Sequence, residues 1–209
     1  MILILVMLAY LIGSIPTSVW IGKRFYNIDV REFGSGNAGA TNTFRVLGKK
    51  AGIPVLIIDI LKGSLAVALA YFSVFETNSN NFINLQLGLG VAALCGHIFP
   101  IFAGFRGGKG VATILGIVIC ILPLSSVFSL IVFLVVLFSV RIVSLSSMLA
   151  GIAFPVILFF GLGNTNPILT SFSIVVAVLL IITHRKNIMR LLKNQESKVV
   201  LFQSKKVNS

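Results

Sequence analysis

The sequence predicts an all-α integral membrane protein, a seven-transmembrane-helix bundle with its N-terminus outside and its C-terminus cytoplasmic. Three observations carry that reading. Of the 209 residues, 57% are hydrophobic and 11% are charged, whereas soluble domains carry roughly 25% charged residues. Apolar runs of about 20 residues, each able to cross a hydrocarbon layer roughly 30 Å thick as a helix, recur along the chain. The cations gather in short loops between those runs, as they do on the cytoplasmic side of membrane proteins.

In order, the apolar runs cover about residues 1–22, 52–75, 84–104, 110–140, 144–162 and 167–183. The first, MILILVMLAYLIGSIPTSVW, has no basic segment before it, and its first cations, Lys23 and Arg24, follow it. It therefore reads as a retained span and not as a cleaved signal. The fourth run is too long for one crossing, because a helix of that length extends about 46 Å at 1.5 Å per residue. Dividing it near Leu122, Pro123 and Leu124 gives seven spans. That division places residues 23–50, the RGGKG loop, Arg141 and the basic C-terminal segment on the cytoplasmic side, and leaves Glu76 as the only charge in the outer loops. The chain reads as one polytopic domain over residues 1–209, with 193–209 a basic cytoplasmic tail. It carries no internal repeat of the kind that marks many secondary transporters.

A formal charge of +12 is compatible with nucleic acid, but cations confined to loops between spans fit lipid headgroups or a small anion instead. Nothing in the sequence calls for an obligate protein partner. Cys95 and Cys120 stand singly in apolar runs, so they read as packing residues without a disulfide or metal role. No bound cofactor is indicated.

On this topology three polar segments share the cytoplasmic face. The first, EFGSGNAGATNTFRVLGKKAG, spans residues 32–52. Its glycines allow tight backbone folding, Ser35 and Thr41 offer hydroxyls, Asn37 and Asn42 offer amides, and Arg45 offers a bidentate cation. Those are the parts of an anion site. Neither this segment nor the next matches a Walker A loop or the strand-to-helix context of a dinucleotide fingerprint, which disfavours ATP. In the second, GHIFPIFAGFRGGKGVAT, Gly107, Gly108 and Gly110 surround Lys109. They permit close backbone approach to a phosphate, and a helix starting near Gly110 would add its N-terminal amides; alternatively the glycines only join two spans. The third, THRKNIMRLLKNQESK, places His184 and Asn187 three residues apart on one helical face, an imidazole to take a hydroxyl proton beside an amide to orient it. Two further features lie inside spans. Asp59 and Lys62 form an ion pair or a relay, and Ser144 and Ser147, on one face with Arg141, either reach the same anion or pack helices.

The segments SGNAGATNTFR, GHIFPIFAGFRGGKGVAT and HRKNIMRLLKNQESK resemble the three cytoplasmic motifs of the bacterial PlsY family of glycerol-3-phosphate acyltransferases, and DILKG and RIVSLSS resemble further family features. KNQE, residues 193–196, stands where that family has a glycine-containing turn before its glutamate. The resemblance implies a seven-helix enzyme of the bacterial cytoplasmic (inner) membrane with its active site facing the cytoplasm. It implies transfer of a fatty acyl group from acyl phosphate, and not from acyl-CoA or acyl carrier protein, to the 1-hydroxyl of sn-glycerol 3-phosphate. By motif position, Ser35, Arg45 and the loop around Lys109 would bind phosphate, while His184 and Asn187 would position the glycerol hydroxyl. An acyl phosphate is a mixed anhydride, already activated, so cations, glycines and hydroxyls suffice. The other acyltransferase signature, HxxxxD, is absent, since neither His97 nor His184 has Asp five residues later. The reading from another class is an organic-anion transporter, which the gathering of charge at one face disfavours.

Overall fold

The computed structural model describes residues 1–77, 79–164 and 166–199; the part of the expected basic tail from residue 200 onward lies outside the described residues. All regular structure among those residues is helical. Two compact units emerge, Met1–Ser126 and Val127–Ser209.

In the first unit, α1 (Ile2–Gly13) and α2 (Thr17–Tyr26) form a pair bent by 41°. The bend falls at Pro16, which caps α2 and has no N–H to continue the α1 ladder. Helices α3 (Ala40–Leu47) and α4 (Lys49–Ala68) follow, then α5 (Asn80–Ile98) and α6 (Val111–Ile121). Leu5 and Ala9 of α1 pack with Ala66 of α4, with Ala70 in the 3-10 turn Leu69–Phe72 that follows it, and with Phe82, Leu85, Leu89 and Ala93 of α5. This register makes α5 parallel and α4 antiparallel to α1. Small residues set the spacing: a Cβ on Gly63 of α4 would strike the Thr113 carbonyl of α6, and one on Gly116 of α6 would strike that of Ile60. Backbones that close are the membrane form of helix packing, because apolar burial does not discriminate helix from lipid. The end of α2, the end of α5 and the starts of α4 and α6 consequently share one end of this unit, so residues 27–48 and 99–110 lie there together.

In the second unit, α7 (Pro123–Val140) crosses the boundary from the first, and α8 (Val143–Val156) runs into a π-helical turn at Ile157–Gly161. Pro155, inside α8, removes one ladder donor just before that turn. Then α9 (Pro167–Thr183), capped by Asn166 with proline at its first turn, leads into α10 (Arg185–Leu192). A Cβ on Gly151 of α8 would meet Leu180 of α9, where the two helices close on each other.

The expected break in the fourth run is present: α6 ends at Ile121, and α7 begins at Pro123. Among the described residues, four helical segments are long and apolar enough to cross a membrane, or up to six if each bent pair is one span. With 11 residues α6 extends only roughly 16 Å, so length alone does not yield the expected seven. The cysteines also differ from expectation. Both are exposed, placing them on the apolar exterior and not in helix packing.

Candidate active site

The first polar segment is organised by Asn42. This residue is 1% exposed; its Oδ1 accepts from the Ser35 backbone N–H at 2.8 Å and from Ser35 Oγ at 3.1 Å. Its Nδ2 donates to the carbonyls of Val30 at 2.8 Å and Phe33 at 3.1 Å. An amide offers both acceptor and donors, and here both ends close the loop onto the start of α3. The expectation that Asn42 meets the anion is thereby corrected: buried and internally satisfied, it braces the loop that presents Ser35. Arg45 and Thr41 are exposed on α3, and Asn37 is half-buried beside Gly39. The Arg45 guanidinium makes no ion pair among the described residues.

The second segment packs against the first. The Gly107 N–H donates to the Ile98 carbonyl and the Gly108 N–H to that of His97, each at 3.1 Å. A Cβ on Gly108 would overlap the His97 ring and crowd the Ala38 carbonyl of the first segment, so only glycine fits between them. These glycines are demanded first by the protein's own packing, a reason the sequence did not show. Gly110 takes φ +85° as the N-cap of α6, so the helix starts where expected. Lys109 is half-buried between them.

Beneath the loop lies a buried polar chain. Asp59 and Lys62 pair at 2.9 Å, with side chains 2% and 3% exposed. Thr17 Oγ1 donates to Asp59 at 3.2 Å, and Lys62 Nζ donates to the Ile15 carbonyl at 3.0 Å, at the α1–α2 bend. His97 Nδ1 stands 3.2 Å from Thr113 Oγ1 and 3.9 Å from Asp59. The expected ion pair is present, and the chain props His97, whose carbonyl and ring hold Gly108.

The second unit has its own cluster. Glu196 Oε1 accepts from Ser144 Oγ at 2.9 Å and from Asn187 Nδ2 at 2.6 Å, while Oε2 accepts from Arg190 Nε at 2.7 Å. Burial works to raise the Glu196 carboxyl, but the bonds from Arg190, Asn187 and Ser144 and the Arg190 charge outweigh it, and the group is held below its ordinary value. Sequence reasoning left this glutamate out of the site. The turn that delivers it is a Schellman motif: Gln195 N–H donates to Arg190 O, Asn194 N–H to Leu191 O, and Asn194 adopts φ +54°. Asparagine is the commonest substitute for glycine in that conformation, so KNQE keeps the turn without glycine. His184 is the N-cap of α10 and Asn187 lies in its first turn, the Asn187 N–H donating to the His184 carbonyl at 2.8 Å. His184 sits at the junction of α9 and α10, which are bent by 59°. Its Nδ1 lies 2.7 Å from the Leu180 carbonyl; a carbonyl only accepts, so Nδ1 carries the proton and Nε2 is the basic nitrogen of the neutral ring. Ser147 is buried, its Oγ donating to Val143 O at 2.9 Å within α8. Arg141 is exposed, and its carbonyl accepts from Val199 N–H at 2.8 Å.

Fold and site define a helical membrane protein that collects hydroxyls, amides and cations at helix ends, the equipment for a small phosphorylated substrate. The glycerol-3-phosphate acyltransferase family profile matches residues 3–194. The chain is 45% identical to a glycerol-3-phosphate acyltransferase of Enterococcus faecalis, over 95% of this chain and 92% of that one. Identity to the glycerol-3-phosphate acyltransferase of Listeria monocytogenes is 48%, over 94% and 96%. Two crystal structures of PlsY (YgiH), an integral membrane glycerol 3-phosphate acyltransferase, are 39% identical. The glycerol 3-phosphate form has a TM-score of 0.85 over 97% of this chain and 99% of that one. The lysophosphatidic acid form has a TM-score of 0.81 over 95% of each. The chain belongs to the PlsY family of glycerol-3-phosphate acyltransferases.

Proposed function

We propose that this protein transfers a fatty acyl group from acyl phosphate to the 1-hydroxyl of sn-glycerol 3-phosphate, giving 1-acyl-glycerol 3-phosphate (lysophosphatidic acid) and inorganic phosphate for phospholipid synthesis. The observation that carries this reading is Arg45, an exposed guanidinium with no ion pair among the described residues, on the helix whose first turns brace Ser35. The forms in which the solved PlsY was crystallised, glycerol 3-phosphate and lysophosphatidic acid, are a substrate and the product of this reaction. The reading sets the protein in the bacterial cytoplasmic membrane as seven spans, with α6 a short one, the N-terminus outside and the site cytoplasmic.

In this mechanism Ser35, Arg45 and Lys109, with Asn37, Thr41 and the backbone at Gly107 to Gly110, hold phosphate groups against their mutual repulsion. Asn187, fixed by Glu196, orients the glycerol hydroxyl, and Ser144 is held by the same carboxylate. The C1 oxygen attacks the acyl carbonyl carbon, the bond from that carbon to the phosphate oxygen breaks, and phosphate departs. The hydroxyl proton passes to His184 Nε2. No covalent enzyme intermediate is required, because the donor is already an anhydride.

The test is purified protein with acyl phosphate and labelled glycerol 3-phosphate, scored for lysophosphatidic acid. Product with acyl-CoA but none with acyl phosphate overturns the donor. Loss of a general base lowers rates by about 10²- to 10⁴-fold, and His184→Ala should fall in that range; a rate within about tenfold of the parent would transfer proton acceptance to the departing phosphate.

A further inference from the structure

A cavity of about 440 Å³ opens at the loop end of the first unit, lined by Trp20, Lys23, Arg31, Phe102 and Arg106 among others, none of which the reaction uses. Trp20 and Lys23 are three apart on the last turns of α2, so they share a face. Phe102 belongs to the last turn of the span Asn80–Ala103. Two apolar spans running in parallel end here together, which is where a bilayer gives way to headgroups. The Trp20 and Phe102 rings lie 6.3 Å apart and are about half exposed, an aromatic shelf of the kind found at membrane interfaces.

Charge faces that shelf. Arg31 is fixed: Nε and Nη2 donate to the Asp29 carboxylate at 2.9 and 2.7 Å, and Nη1 donates to the carbonyls of Ala103 at 2.7 Å and Arg106 at 3.3 Å. It thereby ties the loop after α5 to the turn after α2. Lys23 Nζ stands 3.4 Å from Asp29, with its side chain 59% exposed. The Arg106 guanidinium is exposed and in no ion pair among the described residues. The bidentate Arg31 fork holds the Asp29 carboxyl well below the carboxylate range. Two carboxylates, Asp29 and the neighbouring Glu32 that also acts on Arg31, thus stand against three cations, and the excess positive charge lies toward Lys23 and Arg106, beside an apolar wall.

We infer that this cavity is a binding site for the headgroup of an anionic membrane phospholipid, its phosphate between Lys23 and Arg106 and its acyl chains against Trp20 and Phe102. A soluble phosphate would use the cations but gain nothing from the aromatic shelf, whereas a zwitterionic lipid would use the shelf but bring its own cation to two others.

Trp20 is the only tryptophan in the sequence, so its fluorescence reads this site alone. The full chain is placed in phosphatidylcholine nanodiscs doped with a minor fraction of chain-brominated lipid, either phosphatidylglycerol or phosphatidylcholine at equal mole fraction. Brominated phosphatidylglycerol should quench Trp20 with an apparent preference of about fivefold, the enrichment that one juxtamembrane cation gives. The double substitution Lys23→Gln with Arg106→Gln should abolish the preference while thermal unfolding stays in place. Equal quenching by both lipids overturns the site, as does a preference that survives the double substitution. If inorganic phosphate removes the preference and chloride at matched ionic strength does not, the cavity holds soluble phosphate and the lipid assignment fails.

Discussion

The two polar clusters reach the same end by opposite electrostatic plans. In the first unit the brace is a neutral amide: Asn42 accepts twice and donates twice, and glycines bring two backbone segments into contact. In the second the brace is a carboxylate, with Ser144, Asn187 and Arg190 all donating to Glu196. The difference follows from what each brace must collect. Asn42 closes a loop that supplies both N–H and C=O groups, which only an amide can match. Glu196 collects three side-chain donors, which suits an acceptor-only group. Protons should therefore act on one cluster and not on the other.

The largest effect expected from breaking this contrast is at Glu196. Glu196→Ala removes the carboxylate to which Ser144, Asn187 and Arg190 donate, and hydrogen bonds to a charged group contribute about 1.5–3 kcal/mol each. Loss of turnover should reach at least about 100-fold, equivalent to roughly 2.7 kcal/mol in the barrier. Because the Glu196 carboxyl is held below its ordinary value of 4.5, folding favours its ionised form. Its contribution to stability is complete above that value and lost as pH falls through the lower folded value. Thermal unfolding against pH checks the sign: the advantage of the parent protein over Glu196→Ala should shrink in acid. An advantage unchanged by acid would show that charge is not what holds the cluster.

Asn42→Asp tests the other half. The carboxylate keeps an acceptor for Ser35 but presents no donor to the Val30 and Phe33 carbonyls, which are left facing a buried charge. Such a site costs about 1–3 kcal/mol for each unsatisfied group, so the midpoint of thermal unfolding should drop. Its pH dependence should run opposite to that of Glu196. Burial beside carbonyls favours the neutral acid, which can donate once, so acid should partly restore the variant. Equal destabilisation across the pH range would mean that the loop tolerates the charge.

How much of this was visible in the sequence differs by cluster. The break at Pro123 was legible because a run of that length cannot cross once and proline marks where it turns. The helix start at Gly110 and the pairing of Asp59 with Lys62 were legible because glycine and buried charge have few alternatives. The bracing role of Asn42 is not legible in the sequence, since an amide that braces a loop and one that binds a ligand look alike until the partners are seen. The role of Glu196 was hidden because its partners lie as far away in sequence as Ser144, 52 residues back. The number of spans was read from charge, which the length of α6 does not reflect.

The smallest expected effect separates the two possible reasons for a glycine-rich second loop. If Gly108 exists for phosphate alone, a methyl group there obstructs ligand and leaves the apo fold untouched. If it exists because the His97 ring and the Ala38 carbonyl already occupy that space, the methyl group displaces the loop before any ligand arrives. His97 has little room to yield: it is 5% exposed, with Thr113 3.2 Å from its ring. An ångström of misplacement near a site can reduce rates by about 10²-fold, so Gly108→Ala should raise KM for glycerol 3-phosphate by about tenfold and also lower the unfolding midpoint. Gly88→Ala is the control, because a Cβ there meets nothing within 4 Å and alanine gains about 0.5–1 kcal/mol inside a helix. A raised KM with an unchanged midpoint would assign Gly108 to the ligand, whereas both changing together assigns it to the contact between the two segments, the neutral counterpart of the Glu196 cluster.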